Sequence, residues 1–136
     1  MKKLLCILSL IPFGFFSNCG SQEQPNGSKA GVSSPQKISA VQAKAIMDEG
    51  KPYTLLDVRT EDEYKEGHIR GAVLIPVDEL QTHAEKELPD KNAFILVYCR
   101  SGARSARAAK TLAGMGYTGI HDFGGIIDWP YETVKN

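Results

Sequence analysis

Disulfide and metal chemistry have little to work with in this chain. Its 136 residues include three cysteines, three histidines and one tryptophan. His68, His83 and His121 have no cysteine or histidine partner at ligand spacing, so neither a metal nor another cofactor is expected. A dominant charge is also missing, with 16 Lys and Arg against 16 Asp and Glu. Without residues 1–18 the balance is 14 to 16, or −2, which argues against nucleic acid as a partner and against a polybasic membrane patch. No internal repeat is visible, and the length fits one domain.

What is present begins with a targeting pattern. Lys2 and Lys3 precede an apolar run from Leu4 to Phe16, broken only by Ser9, Pro12 and Gly14. The run is short for a membrane span and reads as a signal peptide over residues 1–18. Phe16-Ser17-Asn18-Cys19-Gly20 resembles a bacterial lipoprotein processing site, which implies Cys19 as a lipid-modified N-terminus. The expectation is an exported protein, anchored to a membrane through that lipid alone and facing the periplasm or exterior. An ordinary secretory cleavage nearby, leaving a soluble periplasmic protein, is the alternative. Residues 19–36 are rich in Gly, Ser, Gln, Asn and Pro, and read as a flexible tether. Cys6 would leave with the signal peptide. With Cys19 acylated, Cys99 has no intramolecular disulfide partner even in an oxidising compartment. An unpaired exported cysteine is more easily explained as reactive than as structural.

The folded domain is expected over residues 37–136. Ser39 with Gln42, and Thr60 with Glu63, each have capping-box spacing. They predict a helix carrying Ala43, Ile46 and Met47 on one face, and a short helix over Glu61–Glu66 closed by Gly67. Tyr53–Val58, Ala72–Ile75, Phe94–Tyr98 and Thr118–His121 read as strands, with Phe94–Tyr98 the central one. Asp78 to about Glu87 reads as helix, as does the stretch after residue 102, where Ala108, Ala109, Leu112 and Ala113 mark a buried face. A last short helix is expected over Ile126–Tyr131. Strands alternating with helices imply an α/β fold, a mostly parallel sheet of about five strands with helices on both faces. Ligands of such sheets bind beyond the carboxyl ends of the strands.

Cys99 stands at that end of the central strand. Arg100, Ser101, Gly102, Ala103, Arg104 and Ser105 follow before the alanine-rich helix. A tight loop into a helix N-terminus gathers backbone N–H groups around one anion site. A thiol held there ionises more readily. Arg100 and Arg104 add positive charge for an anionic substrate. Ser101, Gly102 and Ala103 are small enough for a tight turn, and Ser105 can cap the helix or bond the sulfur.

Cys-Arg-Ser-Gly-Ala-Arg-Ser at Cys99–Ser105 resembles the active-site loop of rhodanese-type sulfurtransferases. So do Asp57-Val58-Arg59, Glu63-Tyr64, Gly67-His68-Ile69-Arg70-Gly71-Ala72 with Ile75-Pro76, and Gly124-Gly125-Ile126 with Trp129, in that order. The resemblance covers about Ile38–Trp129 and fits the single-domain form of the family. It implies that Cys99 takes sulfane sulfur as a persulfide and passes it to a thiophilic acceptor. The donor would be a small sulfur anion such as thiosulfate. The acceptor would be cyanide or a thiol, a protein thiol among them. It further implies that Asp57 and Arg59 brace the loop, with Arg59 pairing to Glu63, and that His68 serves a turn. Trp129 is expected in the core or at its rim. Two alternatives stay open. The related phosphatases and arsenate reductases have one more residue in the loop than the four between Cys99 and Arg104 here. A non-catalytic sulfur carrier or binding module is the other.

Overall fold

Two capping boxes start the first two α-helices of the described structure, a computed structural model covering residues 33–136. Helix α1 (Ala40–Asp48) has Ser39 as N-cap, and α2 (Glu61–Glu66) has Thr60. In each, the cap hydroxyl accepts from the third helical N–H while that residue's side chain accepts from the cap N–H. The other elements are β1 (Gln36–Lys37), β2 (Thr54–Asp57), β3 (Val73–Leu74), α3 (Leu80–Glu87), β4 (Phe94–Cys99), α4 (Ala103–Gly114) and β5 (Gly119–Gly125). A single 3₁₀ turn, Ile126–Asp128, follows β5.

The five strands form one sheet in the order β1-β5-β4-β2-β3, and every pairing is parallel. Strand β4 is central. Its alternate residues divide two cores. Ile95, Val97 and Cys99 pack with Leu56, Val58, Ala108, Ala109 and Leu112. Leu96 and Tyr98 pack with Leu55, Ala43, Phe123 and Trp129 on the other face. Each fully buried Leu or Ile contributes about 1.5–3 kcal/mol over its exposed state, so a one-residue slip of β4 would cost both cores at once. The alternation also puts Cys99 on the α4 side.

Three expectations change. Gln36, placed in the tether by its polar surroundings, belongs to β1, whose register is Gln36↔His121 and Lys37↔Asp122. Strand β5 runs on to Gly125, well past His121. The stretch Ile126–Tyr131 gives only one turn. Pro130 disfavours helical backbone at Trp129, which is extended with ψ 107°. Among the described residues no helix is long and apolar enough to cross a membrane. The signal peptide and Cys19 lie outside the described residues.

Candidate active site

Strand β4 delivers Cys99 to the sheet's carboxyl end, where its ladder with β5 shifts register between Val97 and Cys99. The chain then turns through Gly102, at φ 104°, a conformation suited to glycine. Gly102 is also the N-cap of α4, without a side-chain cap. The first-turn N–H groups of α4 are therefore left free to face the sulfur. The Gly102 N–H donates to Cys99 Sγ at 3.0 Å. Burial of the thiol, which is 1% exposed, works against ionisation. The N–H groups of Ser105, Gly102 and Ser101 outweigh it, and the thiol titrates below its ordinary value.

The last turn of β5 closes over this loop. A Cβ on Gly125 would lie 2.1 Å from the Arg100 carbonyl oxygen, so only glycine allows that approach. The same carbonyl accepts from the Ile127 N–H at 3.2 Å. Asp122, 4% exposed, accepts from the Ser105 hydroxyl at 2.7 Å and from the Gly124 N–H at 2.9 Å. One carboxylate thus ties the first turn of α4 to the end of β5. The sequence reading missed Asp122. It lies one residue past the strand expected over Thr118–His121, among residues that carry no spacing signal.

The arginines are placed differently from the expectation. Arg59 pairs with Asp57, not with Glu63. Its Nη2 lies 2.7 Å from Asp57 Oδ2, and both side chains are buried. Two residues apart at the end of β2, they meet without crossing the site. Arg59 also donates to the Gly67 carbonyl at 2.7 Å, securing the turn after α2. Glu63 takes Arg104 instead, through two bonds of 2.7 Å each. The pairing holds α2 against α4 and occupies the guanidinium expected to contact substrate. It also holds the Glu63 carboxyl down at about 2. Arg100 is exposed at the rim and lines a cleft of about 590 Å³ with Arg59, Glu63, Glu66, Trp129 and Tyr131. Ser101 and Ala103 are exposed on the loop's outer side, whereas Ser105 is buried. Ser105 sits inside the first turn of α4, so it does not cap the helix.

His68 stacks on Tyr64 with ring centroids 3.7 Å apart and bonds the Tyr64 carbonyl through Nδ1, a packing role. Among the described residues there is no group of three or more His, Cys, Asp or Glu able to hold a metal.

The family model for the rhodanese-like domain matches residues 39–130. The chain belongs to the rhodanese-like domain family. The thiosulfate sulfurtransferase PspE of Escherichia coli is 38% identical over 80 residues, 59% of this chain and 77% of that protein. A putative sulfur carrier protein of Bacillus subtilis, YrkF, is 36% identical over 107 residues, and the match spans 57% of its length. A solved E. coli rhodanese, described with anions, is 35% identical with a TM-score of 0.59, covering 62% of this chain and all of that one. Relatives of this rhodanese-like domain are thus named both as sulfurtransferases and as a sulfur carrier.

Proposed function

We propose that this rhodanese-like domain is a thiosulfate or persulfide sulfurtransferase working through a Cys99 persulfide. The observation that carries the reading is the Gly102 N–H at 3.0 Å from Sγ, at the head of a helix whose first turn has no side-chain cap. In the first half-reaction the Cys99 thiolate attacks the outer sulfur of thiosulfate. A new S–S bond forms, the donor's S–S bond breaks, and sulfite leaves with the electron pair. In the second, cyanide or a thiolate attacks the outer persulfide sulfur and Cys99 leaves as thiolate. This is a two-step covalent cycle. It needs no separate base, because the loop N–H groups favour the thiolate in both steps. The short loop and deep burial of Sγ suit a slim, terminal sulfur better than a tetrahedral phosphate. Arg100, free at the rim, is the contact for the donor's sulfonate, while Arg104 supports the loop through Glu63.

Intact mass after mixing with thiosulfate should show one added sulfur on the wild type and none on Cys99→Ser. Thiocyanate formation from thiosulfate and cyanide should follow the same pattern, with circular dichroism confirming that both proteins are folded. A folded serine variant of near-normal activity would sink the reading.

The N-terminal pattern supports export and lipid attachment at Cys19. Cys19→Ala should move the protein from membranes to the soluble exported fraction. An unprocessed cytoplasmic chain in normal cells would overturn this.

A further inference from the structure

The cleft beside the loop is larger than the proposed chemistry requires of it. Cyanide and the terminal sulfur of thiosulfate are a few atoms across, yet the cleft measures about 590 Å³. Four of its lining residues, Ile126, Ile127, Trp129 and Tyr131, are apolar or aromatic, and Ile127 is 62% exposed. Four others are charged: Arg59, Glu63, Glu66 and Arg100.

Those charges are not equivalent. Arg59 is neutralised by Asp57, and Glu63 by Arg104. Arg100 and Glu66 have no ion-pair or side-chain hydrogen-bond partner among the described residues, and both are exposed. The cleft therefore offers a ligand one free cation, one free anion and an apolar wall between loop and C-terminal segment. A dianionic acceptor would meet Glu66 unfavourably. A neutral thiol would leave both charges unused.

We propose that the cleft is the acceptor subsite and that Glu66 and Arg100 together select a zwitterionic aminothiol, cysteine or a short cysteinyl peptide. This rests on the sulfurtransferase reading and names the acceptor class of that same site. The ligand's ammonium faces Glu66, its carboxylate faces Arg100, and its thiol is carried to the loop where Cys99 is held. The acceptor thiolate attacks the outer sulfur of the Cys99 persulfide. A new S–S bond forms on the acceptor, the persulfide S–S bond breaks, and its electron pair returns to Cys99 as thiolate. The proton lost by the acceptor thiol ends on the terminal sulfur of the product persulfide or in water. No oxidant or reductant is consumed.

The test uses the mature protein loaded with thiosulfate, and follows discharge of Cys99 by intact mass. Acceptors are cysteine, N-acetylcysteine, which lacks the ammonium, cysteamine, which lacks the carboxylate, and 2-mercaptoethanol, which lacks both. Rates are compared at equal thiolate concentration and divided by each thiol's rate with a small free disulfide, because both thiolate fraction and thiolate nucleophilicity change with thiol pKa. The wild type should favour cysteine over each of the others. An exposed ion pair of this kind is worth about a 1.4- to fivefold preference per charge. Glu66→Gln should erase the preference over N-acetylcysteine but keep that over cysteamine, and Glu66→Lys should reverse the first. Equal discharge by all four thiols, or selectivity unchanged in both Glu66 variants, overturns the proposal. Failure of thiosulfate loading, or of discharge by cyanide, in the wild type would instead overturn the sulfurtransferase reading itself.

Discussion

Gly125 has no room for a side chain, because a Cβ there would meet the backbone of the loop: the Arg100 carbonyl oxygen at 2.1 Å and Ser101 Cα at 2.6 Å. Neither neighbour is a flexible side-chain tip. Gly125→Ala must therefore push β5 away from the loop or push the loop away from β5. Forced overpacking of this kind costs about 1–3 kcal/mol. The loop holds the thiolate donors, so displacement should show in chemistry as well as in stability. Gly125→Ala is expected to lower the urea midpoint and to slow alkylation of Cys99 by iodoacetamide at neutral pH. Alkylation at the wild-type rate in a destabilised variant would mean that β5, not the loop, gives way. Gly102 carries a different constraint. Its φ of 104° is a backbone requirement, and a Cβ there meets nothing closer than Gly124 Cα at 3.5 Å. Both requirements lie outside what residue spacing reveals. The first is a contact between segments far apart in the chain. The second was legible only as a small residue in a tight turn.

Helices α2 and α4 are joined by the Glu63–Arg104 pair, 41 residues apart in sequence. Glu63 has two roles, since its carboxylate also closes the capping box by accepting from the Thr60 N–H at 3.0 Å. The Arg104 bond and the Thr60 bonds, against the opposing effect of partial burial, leave its carboxyl at about 2, against about 4.3 for a free glutamate. The folded state thus binds this proton less tightly than the unfolded chain. The stabilisation is complete above about pH 4.3 and is lost as pH falls towards 2. The pair is partly solvated, so roughly 1 kcal/mol is a reasonable ceiling. Glu63→Gln is expected to lower stability at neutral pH by about that much and to remove this part of the acid slope, measured by urea unfolding from pH 2 to 6. An unchanged acid slope would show that other carboxylates dominate it. The elements themselves were largely legible. Ser39 with Gln42 and Thr60 with Glu63 are local signals, and local signals survive folding. Strand β1 was not legible, because Gln36 and Lys37 carry no apolar pattern and become a strand only by pairing with β5. Arg59 was matched to the wrong carboxylate for a similar reason. Asp57, Arg59, Glu63 and Arg104 converge in space, and which acid takes which arginine depends on how α2 is set against α4.

The thiolate site exists only when the parts of the fold are assembled. Strand β4 supplies Cys99, α4 supplies the N–H groups of its first turn, and β5 supplies Asp122, which holds Ser105, and Gly125, which lets the loop close. None of these reaches the sulfur in the unfolded chain, where Cys99 is an ordinary thiol titrating near 8.5. Folding lowers that value: burial opposes, but the N–H groups of Ser105, Gly102 and Ser101 prevail. The folded protein therefore gives up this proton at lower pH than the unfolded chain does. Between the two values the unfolded state binds more protons, so stability rises with pH. The stabilisation is fully present above about 8.5 and is lost as pH falls through the folded value. Each pH unit by which folding lowers the thiol is worth about 1.4 kcal/mol. The contribution can be isolated by subtraction. Cys99→Ser removes the titrating group, while the carboxylates and histidines remain in both proteins and cancel. The packing cost of serine in place of cysteine is a constant offset with pH. The unfolding free energy of wild type minus that of Cys99→Ser, from urea titrations at pH 6, 7, 8 and 9, should rise with pH and level off near the top of the range. A difference that falls with pH would mean that burial wins and the thiol is held protonated. A flat difference would mean that the loop N–H groups only balance it. In either case the thiolate-stabilising account of the loop fails, and the nucleophile would need a base from elsewhere.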